Sequence, residues 1–143
     1  MDSCSNEYSA MLERVNSGPY FGPKSGAIVT AVEGNAAWGE LEIRADTRNP
    51  MGVVHGGALF TLADTVAGTA AFTTGRTCVT LDSSMQFLSA ARGEKIFCLA
   101  KPKKIGRTIL VYDITITDSE ERLVATGIFT FYATGTYSSP QKA

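Results

Sequence analysis

The chain predicts an α+β fold: one long central helix wrapped by an antiparallel sheet of about six strands. Three observations carry this. A single long stretch, His55 to about Thr74, has apolar residues at helical spacing. Beyond it the pattern changes for good from a period of 3.6 to a period of 2. The later strand-like runs are joined by short turns, which implies antiparallel pairing. At 143 residues the chain is one domain.

Taken in order, residues 6–16 (NEYSAMLERVN) predict a short amphipathic helix. Tyr8, Met11, Leu12 and Val15 recur at spacings of three and four, and Ser17-Gly18-Pro19 ends the pattern. Residues 1–19 thus form an N-terminal helix and loop. Gly26 to Val32 is β-branched and is followed by turn residues Glu33-Gly34-Asn35. From Trp38 to Arg44, Leu41 and Ile43 face one way and Glu40, Glu42 and Arg44 the other, a half-buried strand. A loop, Ala45 to Gly52, leads into the long helix, with Leu59, Leu62, Ala63, Val66, Ala67, Ala70 and Ala71 as its stripe. Four strands follow: Cys78 to Leu88, Lys95 to Lys103, Thr108 to Thr117 and Leu123 to Thr134. In the third, Leu110, Tyr112, Ile114 and Ile116 alternate with Val111, Asp113, Thr115 and Thr117. The tail 137–143 is polar and is expected to fray.

Composition narrows the function. Thirteen Lys and Arg against fourteen Asp and Glu leave a net charge of −1, which argues against a broadly basic nucleic-acid binder. The single histidine, His55, excludes any metal site that needs two. The three cysteines, Cys4, Cys78 and Cys98, have no CxxC spacing and read as reduced thiols of a cytoplasmic protein. No signal peptide and no membrane-spanning run is expected.

The long helix is unusual. From Gly56 to Thr74 it carries one charge, Asp64, with Thr61, Thr65 and Gly68 beside it on the face opposite the stripe. A helix that small and apolar all round is expected to be buried all round. One sheet covers one side only, so a homodimer is inferred. Asp64 is then either a polar residue satisfied by nearby threonines or a carboxylate placed at an interface to do chemistry. At the start of the helix, His55-Gly56-Gly57 leaves backbone N–H groups open to a ligand oxygen, a plausible oxyanion site. A tight loop-to-helix turn would explain the glycines equally.

The run from Asn49 to Asp64, NPMGVVHGGALFTLAD, resembles the N-x-x-G-x-x-H-G-G-x-x-x-x-x-x-D signature of the PaaI-like acyl-CoA thioesterases, a hotdog-fold family. The similarity continues through Val79-Thr80-Leu81-Asp82, Phe87 to Glu94 and Ile105-Gly106-Arg107-Thr108, and covers roughly residues 20–135. The resemblance implies a role for each matched position. Asp64 would be general base or nucleophile. Asn49 and the Gly56 N–H would hold the thioester carbonyl, with Gly57 at the same helix terminus. His55 would orient the thioester, and Thr80 would position the attacking water. It also implies that Asp64 and the His-Gly-Gly end come from different subunits, and that dimers pair into tetramers.

Thioester hydrolysis needs a positioned water, a base and charge stabilisation, and neither metal nor cofactor is expected. Coenzyme A phosphates need positive charge, for which Arg92, Lys103, Lys104 and Arg107 are candidates. Phe60, Met85 and Phe87 are candidates for lining the acyl pocket. A Cys78–His55 nucleophilic pair is the competing chemistry. A non-catalytic acyl-CoA binder and a 3-hydroxyacyl-thioester dehydratase or hydratase on the same fold are the competing functions.

Overall fold

A computed structural model describes residues 8–136. Helix α1 (Ser9–Ser17) and a single helical turn α2 (Phe21–Lys24) precede the sheet. Strands β1 (Ile28–Glu33) and β2 (Ala36–Glu42) form a hairpin. A 3-10 turn (Ala45–Thr47) leads to the long helix α3 (Gly56–Phe72). Strands β3 (Arg76–Phe87), β4 (Lys95–Ile105), β5 (Ile109–Asp118) and β6 (Leu123–Thr136) complete the chain. The expected tail, Cys4 and the first residues of the N-terminal helix lie outside the described residues.

All six strands form one antiparallel sheet in the order β1-β2-β4-β5-β6-β3. Strands β1 and β3 are therefore its edges. The β1–β2 turn needs two left-handed residues in succession, and Gly34 (φ 57°) and Asn35 (φ 64°) supply them. The alternation in β5 holds: Leu110, Tyr112, Ile114 and Ile116 are buried. The Tyr112 hydroxyl donates to the Asn35 carbonyl at 2.9 Å, so its polar tip is satisfied inside the core.

The expected helical stripe also holds, and Leu59, Leu62, Ala63, Val66, Ala67, Ala70 and Ala71 are all buried. The sheet beneath is small at the matching points. Ala37, Ala100 and Ile114 lie in register, as do Gly39, Cys98 and Ile116. A Cβ on Gly39 would come within 2.4 Å of Val66 Cγ2, so the absence of a side chain there lets α3 lie close to β2.

As expected, the sheet covers one side of α3 only within the chain: Asp64 is exposed, and Thr61, Thr65 and Gly68 are only partly covered. The first strand starts two residues later than expected, at Ile28, because Gly26 (φ 92°) turns the chain before the β-branched run, and the second runs two residues earlier, over Ala36–Glu42. The helical turn α2 was not expected from the sequence, where Gly22-Pro23 is a turn signal as well as a legitimate helix start.

The far end of β5 is tied down by Asp118, whose residue is 2% exposed. Its carboxylate accepts the backbone N–H groups of Arg92 (2.9 Å), Glu120 (2.9 Å) and Arg122 (3.1 Å). Burial alone would raise this carboxyl. The three N–H bonds and the Arg122 guanidinium outweigh it and hold it below the ordinary carboxylate range. The folded form thus favours the ionised group. Its stabilisation is present above the unfolded value of about 4 and is lost as pH falls through the lower folded value. Asp118→Ala is expected to lower the melting temperature at neutral pH. That gap should be constant from about pH 5 to 7 and close below about pH 4 in paired thermal melts. A gap that persists undiminished in acid would rule out the ionised carboxylate as its source.

Candidate functional site

Two groups of candidate residues emerge, both built on α3. The first lies at its N-terminus. His55 is the N-cap, and its Nδ1 accepts the Gly57 N–H at 2.7 Å. A ring nitrogen that accepts cannot also carry the proton, so the neutral imidazole presents Nε2–H outward as a donor. The same bond occupies the Gly57 N–H, which narrows the oxyanion expectation to Gly56. A Cβ at Gly56 would stand 3.6 Å from the Phe87 ring, so that ring roofs this terminus. The preceding loop is fixed by Asn49, whose Oδ1 accepts from the N–H groups of Met51 (3.0 Å) and Val53 (3.3 Å). Pinning the oxygen leaves Nδ2 as the donating end of the amide. A backbone bond from His55 N–H to the Thr47 carbonyl (2.8 Å) holds the loop to the 3-10 turn.

The second group lies in the middle of α3. The Thr80 hydroxyl donates to Asp64 Oδ1 at 2.7 Å. One carboxylate oxygen is thereby oriented and the other is left for substrate or water. Thr80 is set by an irregularity of β3. Thr80 pairs with Phe131 and Asp82 with Thr130, so Leu81 is the extra residue of a β-bulge. Bulges re-aim side chains next to sites.

The two groups are apart within one chain. Eight residues of helix separate Gly56 from Asp64, a rise of about 12 Å. A base and an oxyanion donor must both come within about 3 Å of the reacting atoms. Within one chain the two groups thus stand on different turns of the helix, too far apart to touch each other.

The basic residues are also divided. The line Cys98, Ile116, Ala125, Phe87 crosses the sheet, which puts the loop carrying Arg92 at the same end as Phe87 and Gly56. Lys104 and Arg107 lie at the opposite end, where the Arg76 guanidinium donates to the Gly106 carbonyl. Lys103 is at 3.7 Å from Asp113, an exposed pair. Phe60 packs on Phe129 with ring centroids 5.3 Å apart, and Met85 is part-buried against the core. Of the three acyl-lining candidates, Phe87 borders an open hollow of about 410 Å³ beside Gly56 and Leu59.

The Cys78–His55 pair does not form. Cys78 is near the start of β3, where burial pushes its thiol up against the opposing pull of Arg76, while His55 is engaged at the other end of α3. A raised thiol is a poor nucleophile. Sequence reasoning missed Asn16, which bonds Val29 of β1, and Asp118, which gathers the Arg92, Glu120 and Arg122 N–H groups, since each joins segments that no local motif connects.

Known proteins resemble this chain in sequence and in fold. The Thioesterase superfamily pattern matches residues 51–125, just over half of the chain. A Bacillus subtilis protein bearing the name "Putative esterase ComA2" is 38% identical over 82 residues, which are 54% of this chain and 65% of that protein. The match thus spans just under two thirds of that relative's length. A hypothetical thioesterase protein of Streptococcus pneumoniae, solved with coenzyme A, is 30% identical with a TM-score of 0.74. The alignment covers 78% of this chain and 88% of that one. The PaaI protein of the E. coli phenylacetic acid degradation operon shares the fold at a TM-score of 0.85, with 22% identity over 95% of this chain and all of that one. With its long helix against a six-stranded antiparallel sheet and its match to that pattern, this chain belongs to the hotdog-fold Thioesterase superfamily.

Proposed function

We propose that the protein is an acyl-CoA thioesterase that releases a free acid and coenzyme A, in active sites shared between two chains. The observation that carries this reading is the separation of about 12 Å between a hydroxyl-oriented carboxylate and a helix terminus bearing the oxygen-binding donors. Each half is incomplete alone, and a second copy would supply the other.

In this mechanism the thioester carbonyl oxygen meets the Gly56 N–H, with the Asn49 Nδ2 and His55 Nε2 donors beside it. Asp64 of the other chain takes a proton from water as the water attacks the carbonyl carbon, and Thr80 holds that carboxylate in place. The tetrahedral oxyanion is stabilised by the donors and collapses by breaking the C–S bond. The coenzyme A thiolate leaves, and the proton held by Asp64 returns to solvent or sulfur. Attack by Asp64 itself, through an anhydride, uses the same placement.

The exposed face of the chain favours a second copy. Strand β3 is an open edge, and Val79 (53% exposed) and Leu81 (58%) stand out on either side of Thr80. Such an edge invites pairing with another strand. A dimer of dimers is the fuller assembly proposed, and the basic residues Arg92, Lys103, Lys104 and Arg107 are proposed to meet the coenzyme's phosphates. Among the described residues no helix is long and apolar enough to cross a membrane.

The test is thiol release from a panel of CoA esters, followed by subunit mixing. Asp64→Asn and Asn49→Ala chains should each be nearly inactive. Co-expressed with different tags, they should regain roughly a quarter of wild-type turnover, because half of the dimers carry one intact site. No recovery in purified heterodimers would show that both groups act within one chain.

A further inference from the structure

The loop between β3 and β4, residues 88–94, makes one wall of the hollow of about 410 Å³ beside Gly56. Leu88, Ser89, Ala90 and Ala91 line it, and the Phe87 ring stands over Gly56. We propose that Asp118, at the end of β5, is a positioning residue for the substrate. It holds this loop, and through it Ala90, Ala91 and Arg92, where they meet the coenzyme part of the ester. The proposal rests on the thioesterase reading above. It adds a residue that neither touches the substrate nor lies in the run from Asn49 to Asp64.

The loop is tied at three places. At its start the Leu88 and Ser89 N–H groups donate to the Val124 carbonyl at 2.8 and 3.2 Å, and the Ser89 hydroxyl donates to the Leu123 carbonyl at 2.7 Å. At its end the Ser119 hydroxyl oxygen accepts the Glu94 N–H (3.2 Å) and the Lys95 N–H (2.9 Å). Between them the Arg92 N–H donates to Asp118 Oδ2 at 2.9 Å. Ala90 and Ala91 are thus strung between the first tie and Asp118. Gly93 (φ 91°) turns the chain just beyond, and a Cβ on it would stand 2.7 Å from Ser119 Cβ, so the loop is pressed onto the turn that follows β5. The anchor itself cannot swing away. Asp118 is buried, and its other oxygen accepts the Glu120 and Arg122 N–H groups.

What stands at the two ends of the wall gives it a function. Phe87 covers the Gly56 N–H, the donor proposed for the thioester carbonyl. Arg92, unlike Lys104 and Arg107, is a phosphate candidate at this same end of the sheet. An ester with its carbonyl at Gly56 and its phosphates at Arg92 runs along residues 88–91. A wall released from Asp118 must be ordered anew each time substrate binds. That cost falls on bound substrate and transition state alike, so it raises KM and spares kcat.

Asp118→Asn separates this role from the turn. The amide oxygen can keep the Glu120 and Arg122 N–H groups, which leaves the NH2 facing the Arg92 N–H, donor against donor. The Arg122 guanidinium, 3.9 Å from Oδ2, loses its charge partner, a stability cost that the melting curve reads separately. KM and kcat for acetyl-CoA and hexanoyl-CoA, and the inhibition constant of free coenzyme A, are measured in wild type, Asp118→Asn and Ser119→Ala. In Asp118→Asn both KM values and the coenzyme A inhibition constant should rise together by about fivefold or more, with kcat within about twofold of wild type. Ser119→Ala, at an exposed side chain, frees the other end of the loop and should move the same three constants by about two- to fourfold. It decides alone if Asp118→Asn does not fold. A loss confined to kcat or to melting temperature, or ester KM values that rise while coenzyme A inhibition stays fixed, overturns the positioning role and leaves the thioesterase reading standing. So does an active enzyme in which none of the constants moves. A wild type that cleaves neither ester overturns both.

Discussion

Replacing Asp64 with Asn should lower kcat for CoA-ester hydrolysis by about 100- to 10,000-fold, the range supplied by a positioned general base. The change keeps the size of the side chain, and Thr80 can still donate to its oxygen, so the fold should be retained. Asp64 is exposed within the chain, and nothing in the core depends on its charge. The informative comparison is Thr80→Val. It removes the 2.7 Å bond that orients the carboxylate but leaves the carboxylate itself. The loss there should be smaller, about tenfold, as expected for a single neutral-to-charged hydrogen bond of about 1.5 kcal/mol. If Asp64→Asn retained more than a tenth of wild-type kcat while melting normally, Asp64 would be neither base nor nucleophile.

The second large effect is on stability. Gly39→Ala places a Cβ 2.4 Å from Val66 Cγ2 and 2.8 Å from the Ile28 carbonyl oxygen. The valine is held in the packed stripe of α3, and the oxygen belongs to the neighbouring strand's backbone. Neither is the loose end of a flexible side chain. The helix must lift from β2, at a cost of about 1–3 kcal/mol typical of an overfilled core. For a domain of this size that is a drop of several degrees in melting temperature. The damage should also reach the chemistry. Val66 lies two residues beyond Asp64, so a lifted helix moves the carboxylate relative to Thr80 on β3. Gly39→Ala should therefore lower kcat as well as Tm, although residue 39 lies on the far side of the helix from the carboxylate. A variant that melts like the wild type would show that α3 has slack at this point.

Much of this was legible from residue pattern. The alternation in β5 and the Ala/Leu stripe of α3 name their buried faces without any tertiary knowledge, because a period of 2 or 3.6 is itself a statement about which side meets the core. The near absence of charge on α3 pointed to a face that the chain does not cover, and that face is open around Asp64. Family resemblance named Thr80 only as a residue that positions the water; its bond to Asp64 was not legible, because spacing alone does not tell which residue of a strand will meet a helix. The bond from Gly57 to His55 was not legible, since His-Gly-Gly is equally compatible with two free N–H groups. The Asp118 network was hidden for a different reason, with an acceptor and one of its donors 26 residues apart and no local motif to mark them.

The Asn16–Val29 pairing has a consequence for how many chains can join. Asn16 meets both backbone groups of Val29 and so acts as a one-residue strand laid along the edge at β1. A neighbouring chain that tried to extend the sheet there would first have to displace it. The edge at β3 carries no such plug among the described residues. A sheet that can add a partner on one side only cannot propagate. Two like edges that satisfied each other would leave no further edge of this kind, so extension of the sheet itself would stop at two chains and would not run on into a fibre.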